Sequence, residues 1–357
     1  MTTRSIDSLG AGASVRIEWG PIFELLATAS ALLHTDHHAY YDLGGAWFAK
    51  VISEAPDAAS RLRSFAGGSL LIWDPIFGLA TEVSPNHDIS SFIDHVGRMD
   101  AAVLRLELLG RHYRPVQRAV GIERIEEAAA GNATAQRDLL RLAWPEDSAW
   151  QTGVRQLLKI PPVETQKTLT ALLRVLDRDL KRYLEPTLNA LEADAANKRA
   201  TAAALEPLAL IRSAIDTAYV PTADVSAVVL VPSFVVRPFV YYFERGDQML
   251  FLYPVAERFI ASIGAGPPER LVRLAAALGD RGRLRILAAL KERDKTLKEL
   301  AEALGLPRST LRHHIGVLRG AGLLRPMQSS TGLPAYQLRE EAATDLAELV
   351  EKFLRGP

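Results

Sequence analysis

The chain has 357 residues, 48% of them hydrophobic and 24% charged, which suits two or three domains with ordinary packed cores. It contains no cysteine, and this excludes disulfides, thiolate catalysis, iron–sulfur clusters and cysteine-based zinc or arsenic sites. Its 42 basic and 42 acidic residues cancel, so net charge by itself gives no sign of nucleic-acid binding.

The first residues, "MTTRSIDSLGAGASVRIEW", lack the apolar core of a signal peptide. No stretch approaches the roughly 18 uninterrupted apolar residues of a membrane span. A cytoplasmic protein with no membrane partner is expected. "GPIFELLATASALLH" places Ile22, Leu25, Leu26 and Ala29 at helical spacing. "HTDHH" gathers His34, Asp36, His37 and His38. Neighbours on one turn rarely converge on a single ion, and metal sites draw ligands from separate elements, so no metal site is expected. The pairs His87–Asp88 and Asp94–His95 read as caps or surface pairs. "ISSFIDHVGRMDAAVLRLELLG" predicts one amphipathic run ending at Gly110. "VETQKTLTALLRVLDRDLKRYLEPTLNALEADAANK" predicts a long helix kinked or broken at Pro186, and "ATAAALEPLALIRSAID" a further helix.

The texture then changes. "SAVVLVPS", "RPFVYYFE" and "QMLFLYPV" are rich in β-branched and aromatic residues, and "RGD" between the last two reads as a turn. A small sheet or hairpin is expected here, joined by "SVRIEW" from near the start. Trp47, Trp73, Trp144, Tyr241 and Tyr242 read as core rather than as a ligand pocket. "GAGAS" follows no strand and is no dinucleotide loop, and no phosphate loop, nucleophile elbow or zinc-protease helix is present. No enzymatic activity and no cofactor are therefore expected.

"SIGAGPPER" marks a linker, dividing a mostly helical region, residues 1–262, from a C-terminal module, residues 268–357. Between Arg281 and Arg325 lie 11 basic and 4 acidic residues, a local charge of +7 on a neutral protein. Leu271, Leu274 and Leu278 share one helical stripe, and "RLRILAALKE" forms the next helix. Thr296 with Glu299 three residues on makes a capping box for "TLKELAEALG", which Gly305 ends. Pro307 opens the following helix. In it Leu311, Ile315 and Leu318 form a buried stripe, with Ser309, Arg312, His313 and Gly316 opposite. Two helices joined by a tight turn, the second with a polar N-terminal surface, make a helix-turn-helix. "LLRPMQSSTGLPAYQLR" then reads as a hairpin wing, and "EEAATDLAELVEKFL" as a last helix carrying Leu346, Leu349, Val350 and Phe353. The fold expected is mainly α: a helical body with a small sheet, then a winged helix-turn-helix.

"LAEALGLPRSTLRHHIGVLRGAGLL", with its hairpin and flanking helices, resembles the ArsR-type winged helix-turn-helix of bacterial transcriptional regulators. His314–Ile315 and Ala321–Gly322–Leu323 match the family's His-Leu and Ala-Gly-Leu positions. The resemblance covers roughly residues 268–355. It implies a homodimer that binds an inverted repeat in double-stranded DNA, often as a repressor released by an effector. The candidate DNA contacts are Arg308, Ser309, Thr310, Arg312, His313, His314 and, at the wing root, Arg325. Two departures stand out. The helix before the recognition helix reads "ELAEALG" and the last helix has no histidine, so metal sensing at the family's usual positions is excluded. Some 265 residues also precede the module, a layout resembling long ArsR-like regulators whose N-terminal domain has no assigned role. A small organic effector, held by the helical body and the Val228–Pro254 region, is expected. The alternative is an enzyme or ligand-binding protein with an appended regulatory winged helix.

Overall fold

The computed structural model describes residues 14–67, 69–83, 88–144, 147–202, 204–215, 224–260, 269–328, 334–339 and 342–355. The chain divides into two compact units, residues 1–38 with 45–260, and residues 39–44 with 261–357. It is mainly helical, with one small sheet in each unit.

In the first unit the helix Pro21–Leu33, apolar apart from Glu24, Thr28 and Ser30, is buried on every side from Ile22 to Leu33. Trp73, fully buried, donates its indole N–H to the Leu26 carbonyl at 3.1 Å. Around this helix packs the 41-residue helix Pro162–Ala202, with Leu169, Leu172, Leu173, Leu176 and Leu180 facing inward. Pro186 lies inside that helix and does not break it. A proline removes one helical hydrogen bond and costs about 3 kcal/mol in an isolated helix. Here packing on both sides of the proline outweighs that cost, with Leu184, Thr187 and Leu191 all buried.

The segment 89–110, expected as one run, forms two helices, Ile89–Arg98 and Ala101–Leu108. Asp100 separates them: its carboxylate accepts from the backbone N–H groups of Ala102 and Val103 and so starts the second helix afresh. The run expected over 200–216 is also divided. Its first residues finish the long helix, and Pro207–Ile215 is a helix of its own. Asp88 caps its helix as expected, accepting from Ser91 N–H, whereas His87 lies outside the described residues.

The sheet of the first unit has the order β1-β2-β4-β3, where β1 is Ser14–Ile17, β2 Ala227–Ser233, β3 Tyr241–Arg245 and β4 Gln248–Pro254. β1 and β4 flank β2 in parallel, and β3 closes antiparallel on β4 through Gly246, whose φ is +54°. All seven residues of β2 are buried, as a strand covered on both faces requires. At its end, Ser233 Oγ–H and the backbone N–H groups of Phe234 and Val235 just beyond it donate to the buried carboxylate of Glu24. The histidines of "HTDHH" serve packing. His34 Nδ1 lies 3.1 Å from the Tyr241 hydroxyl, and His38 Nε2 lies 2.9 Å from the Ala31 carbonyl. Among the described residues no group of three or more His, Asp or Glu is arranged to hold a metal ion. No described helix is long and apolar enough to cross a membrane.

The second unit has its own core of Leu274, Ile286, Leu290, Leu300, Leu311, Ile315 and Leu318. Its helices are Glu269–Leu278, Arg281–Leu290, Leu297–Leu304, Arg308–Gly320 and Ala342–Arg355. Its wing strands are β6, Leu324–Gln328, and β7, Pro334–Leu338. The expected turn "SSTG" falls outside the described residues. A third strand not foreseen from sequence, β5 (Lys295–Thr296), pairs antiparallel with β7 and gives the order β5-β7-β6.

Candidate nucleic-acid interface

The helix-turn-helix is built by short-range rules that the sequence obeys. Thr296 Oγ1 accepts from Glu299 N–H at 3.3 Å, and the Glu299 carboxylate returns to Thr296 N–H at 2.7 Å, closing the capping box. These bonds and Arg293 hold the Glu299 carboxyl down at about 2. Gly305, with φ +65°, ends the first helix in the left-handed conformation that glycine adopts without a Cβ penalty. Arg285 donates to the Leu304 carbonyl just before it, at 3.2 Å. Pro307, at φ −59°, caps the recognition helix Arg308–Gly320.

Leu311 and Leu318 are fully buried and Ile315 nearly so, which fixes how the recognition helix is rotated. The opposite surface presents Arg308, Ser309, Arg312 and His313, all exposed, with Thr310 half-buried beside them. Among the described residues neither Arg308 nor Arg312 is engaged in an ion pair. The first turn has no acidic residue and no side-chain cap, so its backbone N–H groups and the positive end of the helix dipole face the same side as these cations. That is the chemistry of a surface that accepts phosphate and reads base edges.

His314 is placed differently. Its side chain is only 16% exposed and turns toward the start of the helix Arg281–Leu290, with Nδ1 3.9 Å from an Asp280 oxygen. A Cβ on Gly282 would lie 3.2 Å from His314 Nε2. Burial lowers the His314 pKa and the Asp280 carboxylate pulls it back. Arg325 has its backbone in β6, paired opposite Gln337, and its side chain lies outside the described part of the structure.

The charge count of the segment overstates its grip on DNA. Lys295 is buried and donates to the Ala289 carbonyl. Arg283 spans the end of the preceding helix, donating to the Ala276 and Ala277 carbonyls at 2.8 Å. Both cations hold the module together.

Sequence reasoning missed residues 39–44, which belong to this second unit. Tyr40 places its hydroxyl 2.7 Å from His313 Nδ1, and its ring lies against Gly316, where an added Cβ would meet Tyr40 Cε2 at 2.8 Å. Gly316, which its spacing places opposite the buried stripe, is itself buried, beneath the Tyr40 ring. Asp42 pairs with Arg273 at 2.7 Å. Nothing in the local pattern of "HTDHHAYYD" signals a partner 273 residues away.

Residues 280–325 match the family model described as bacterial regulatory protein, arsR family. The match spans Asp280 at the helix cap through Arg325 in β6, so the recognition helix and the turn before it lie inside it. The C-terminal part of the chain thus carries the helix-turn-helix of that regulator family. No curated protein matches the chain.

Proposed function

We propose that the chain, carrying its arsR-family helix-turn-helix at residues 280–325, is a sequence-specific transcriptional regulator that binds double-stranded DNA as a homodimer and acts as a repressor. The observation that carries this reading is the recognition helix. Its apolar stripe is sunk in the module's core, and Arg308, Ser309 and Arg312 stand on the exposed side at its N-terminal end. A helix entering the major groove reads bases with residues of its first turns.

We read the dimer contact on the two helices that flank the module, at the apolar side chains their own core leaves uncovered. Leu274 is buried within the module, and Leu278, Leu346 and Leu349 pack against the same core. Still exposed are Val272 at 45%, Phe353 at 51% and Leu354 at 75%, on the two helices that flank the module and pack on each other. Outward apolar side chains of this size favour a partner surface. A two-fold dimer built on them reads an inverted repeat with half-sites about 34–36 Å apart, or a multiple of that.

The first unit is read as the body that senses an organic effector; no catalytic role is assigned to it. The candidate place for the effector is an open groove of about 350 Å³ lined by Phe65, Leu157 and Leu172, with Arg61 and Lys167, ion-paired to Asp57 and Glu164, beside them. It lies among helices, away from the Val228–Pro254 strands that the sequence favoured.

The test is to titrate the full chain against a pool of random-sequence duplexes at several salt concentrations and to sequence what is retained. Binding that falls steeply with salt, and enrichment of an inverted repeat, are expected. No binding at low salt overturns the regulator reading. Enrichment of a single half-site overturns the dimer.

A further inference from the structure

We propose that residues 39–44 form an autoinhibitory strap that competes with DNA for the recognition helix. The proposal rests on the DNA-binding reading above. His313 and Gly316 lie one helical turn apart on the side of Arg308–Gly320 opposite the Leu311–Ile315–Leu318 stripe, and His313 lies four residues beyond Ser309, so the three share one surface. Tyr40 covers the C-terminal half of that surface. Its hydroxyl is hydrogen-bonded to His313 Nδ1 and its ring occupies the space a side chain at position 316 would fill. Only glycine at 316 allows the ring to lie so close. A few residues on, the Asp42–Arg273 ion pair ties the same segment to the helix Glu269–Leu278, with both side chains less than one-fifth exposed. One bond on the reading surface and one anchor away from it make this a seated contact, distinct from a passing loop.

Space decides the competition. A helix with its side chains is about 10–12 Å across and the major groove is about 12 Å wide. No room remains between helix and base edges for a tyrosine ring. While the strap is closed, Arg308, Ser309 and Arg312 stay exposed, but the helix is held from full depth. DNA binding then draws only on the open fraction of the molecules, and apparent affinity is reduced by that fraction. A hydrogen bond plus a partly buried ring suffices to favour the closed form by about 10- to 100-fold. By linkage, any ligand that prefers the closed strap weakens DNA binding, and any that prefers the open strap strengthens it.

The test uses the full chain and the random-sequence duplex pool at low salt. Tyr40→Ala is expected to bind about 10- to 100-fold more tightly than wild type. Tyr40→Phe, which keeps the ring and loses the bond to His313, falls between the two. Asp42→Asn, which loosens the anchor without touching the reading surface, tightens binding several-fold and stands in if Tyr40→Ala folds poorly. Equal binding by wild type, Tyr40→Ala and Asp42→Asn overturns the strap and leaves the DNA reading intact. Weaker binding by Tyr40→Ala makes Tyr40 a DNA contact and also overturns the strap. Absence of binding by all of them overturns the DNA reading, and the strap with it.

Discussion

Arg312 and His313 are neighbours in sequence and both are exposed, yet His313 is bonded to Tyr40 while Arg312 is engaged in no ion pair among the described residues. A guanidinium can meet a guanine edge with two hydrogen bonds, and that is the role proposed for Arg312. Arg312→Ala is expected to cost about 1–3 kcal/mol on the selected sequence and to relax preference at one base pair. Arg325→Ala, at the wing root, is expected to weaken all duplexes alike and to lower the salt slope by about one. Titration of both variants on selected and random duplexes separates the two roles, and identical sequence-independent losses would make Arg312 a phosphate clamp. A second residue-scale prediction concerns Glu24. Burial raises its carboxyl from 4.5 to about 7, against the lowering pull of Ser233, Val235 and Phe234. Between those values the folded chain keeps a proton that the unfolded chain has released. The stability from this group is therefore complete below about pH 4.5 and is lost as pH rises through 7, a swing of up to about 3 kcal/mol. Urea unfolding at pH 5 and pH 8 checks it: wild type should lose stability relative to Glu24→Gln between the two, and a pH-independent difference would count against it.

Elements were legible where local rules set them. Thr296, Glu299, Gly305 and Pro307 marked both helices of the helix-turn-helix within a residue, because caps and left-handed glycines act at short range. The break that Pro186 invites does not occur, because the packing that keeps its helix whole comes from residues distant in sequence. β5 was invisible because two residues carry no periodicity, and its partner β7 lies some 40 residues on. Thr296 carries two duties there, pairing with Ala335 in the sheet while its side chain caps the helix. Thr296→Ala removes only the cap and is expected to cost about 1 kcal/mol, read as a lowered unfolding midpoint in urea with the same slope. At the module's outer helices, Phe353→Glu with Leu354→Glu is expected to shift the chain from dimer to monomer in sedimentation. The helix itself should survive, since Leu346 and Leu349 hold it to the core. An unchanged dimer would move the interface to the first unit.

At the scale of the whole molecule, the absence of cysteine and the histidine-free last helix make a chemical prediction. Arsenite or zinc at micromolar concentration should leave the DNA complex intact in a gel-shift titration, and release by either would relocate sensing to the histidines near residue 37. The mainly helical fold, the small sheet and the winged module could be read from the sequence because hydrophobic period and turn chemistry repeat over many residues. The membership of residues 39–44 in the second unit could not, since it depends on contacts that span most of the chain, Tyr40 with His313 and Gly316 and Asp42 with Arg273. That span has a consequence in time. A ribosome adding about 5–20 residues per second makes Tyr40 roughly 14–55 s before His313. Throughout that interval Tyr40 and Asp42 wait without the surface they will cover. Their seating is among the last events of the molecule's manufacture, and a chain whose translation stops before residue 313 never completes it.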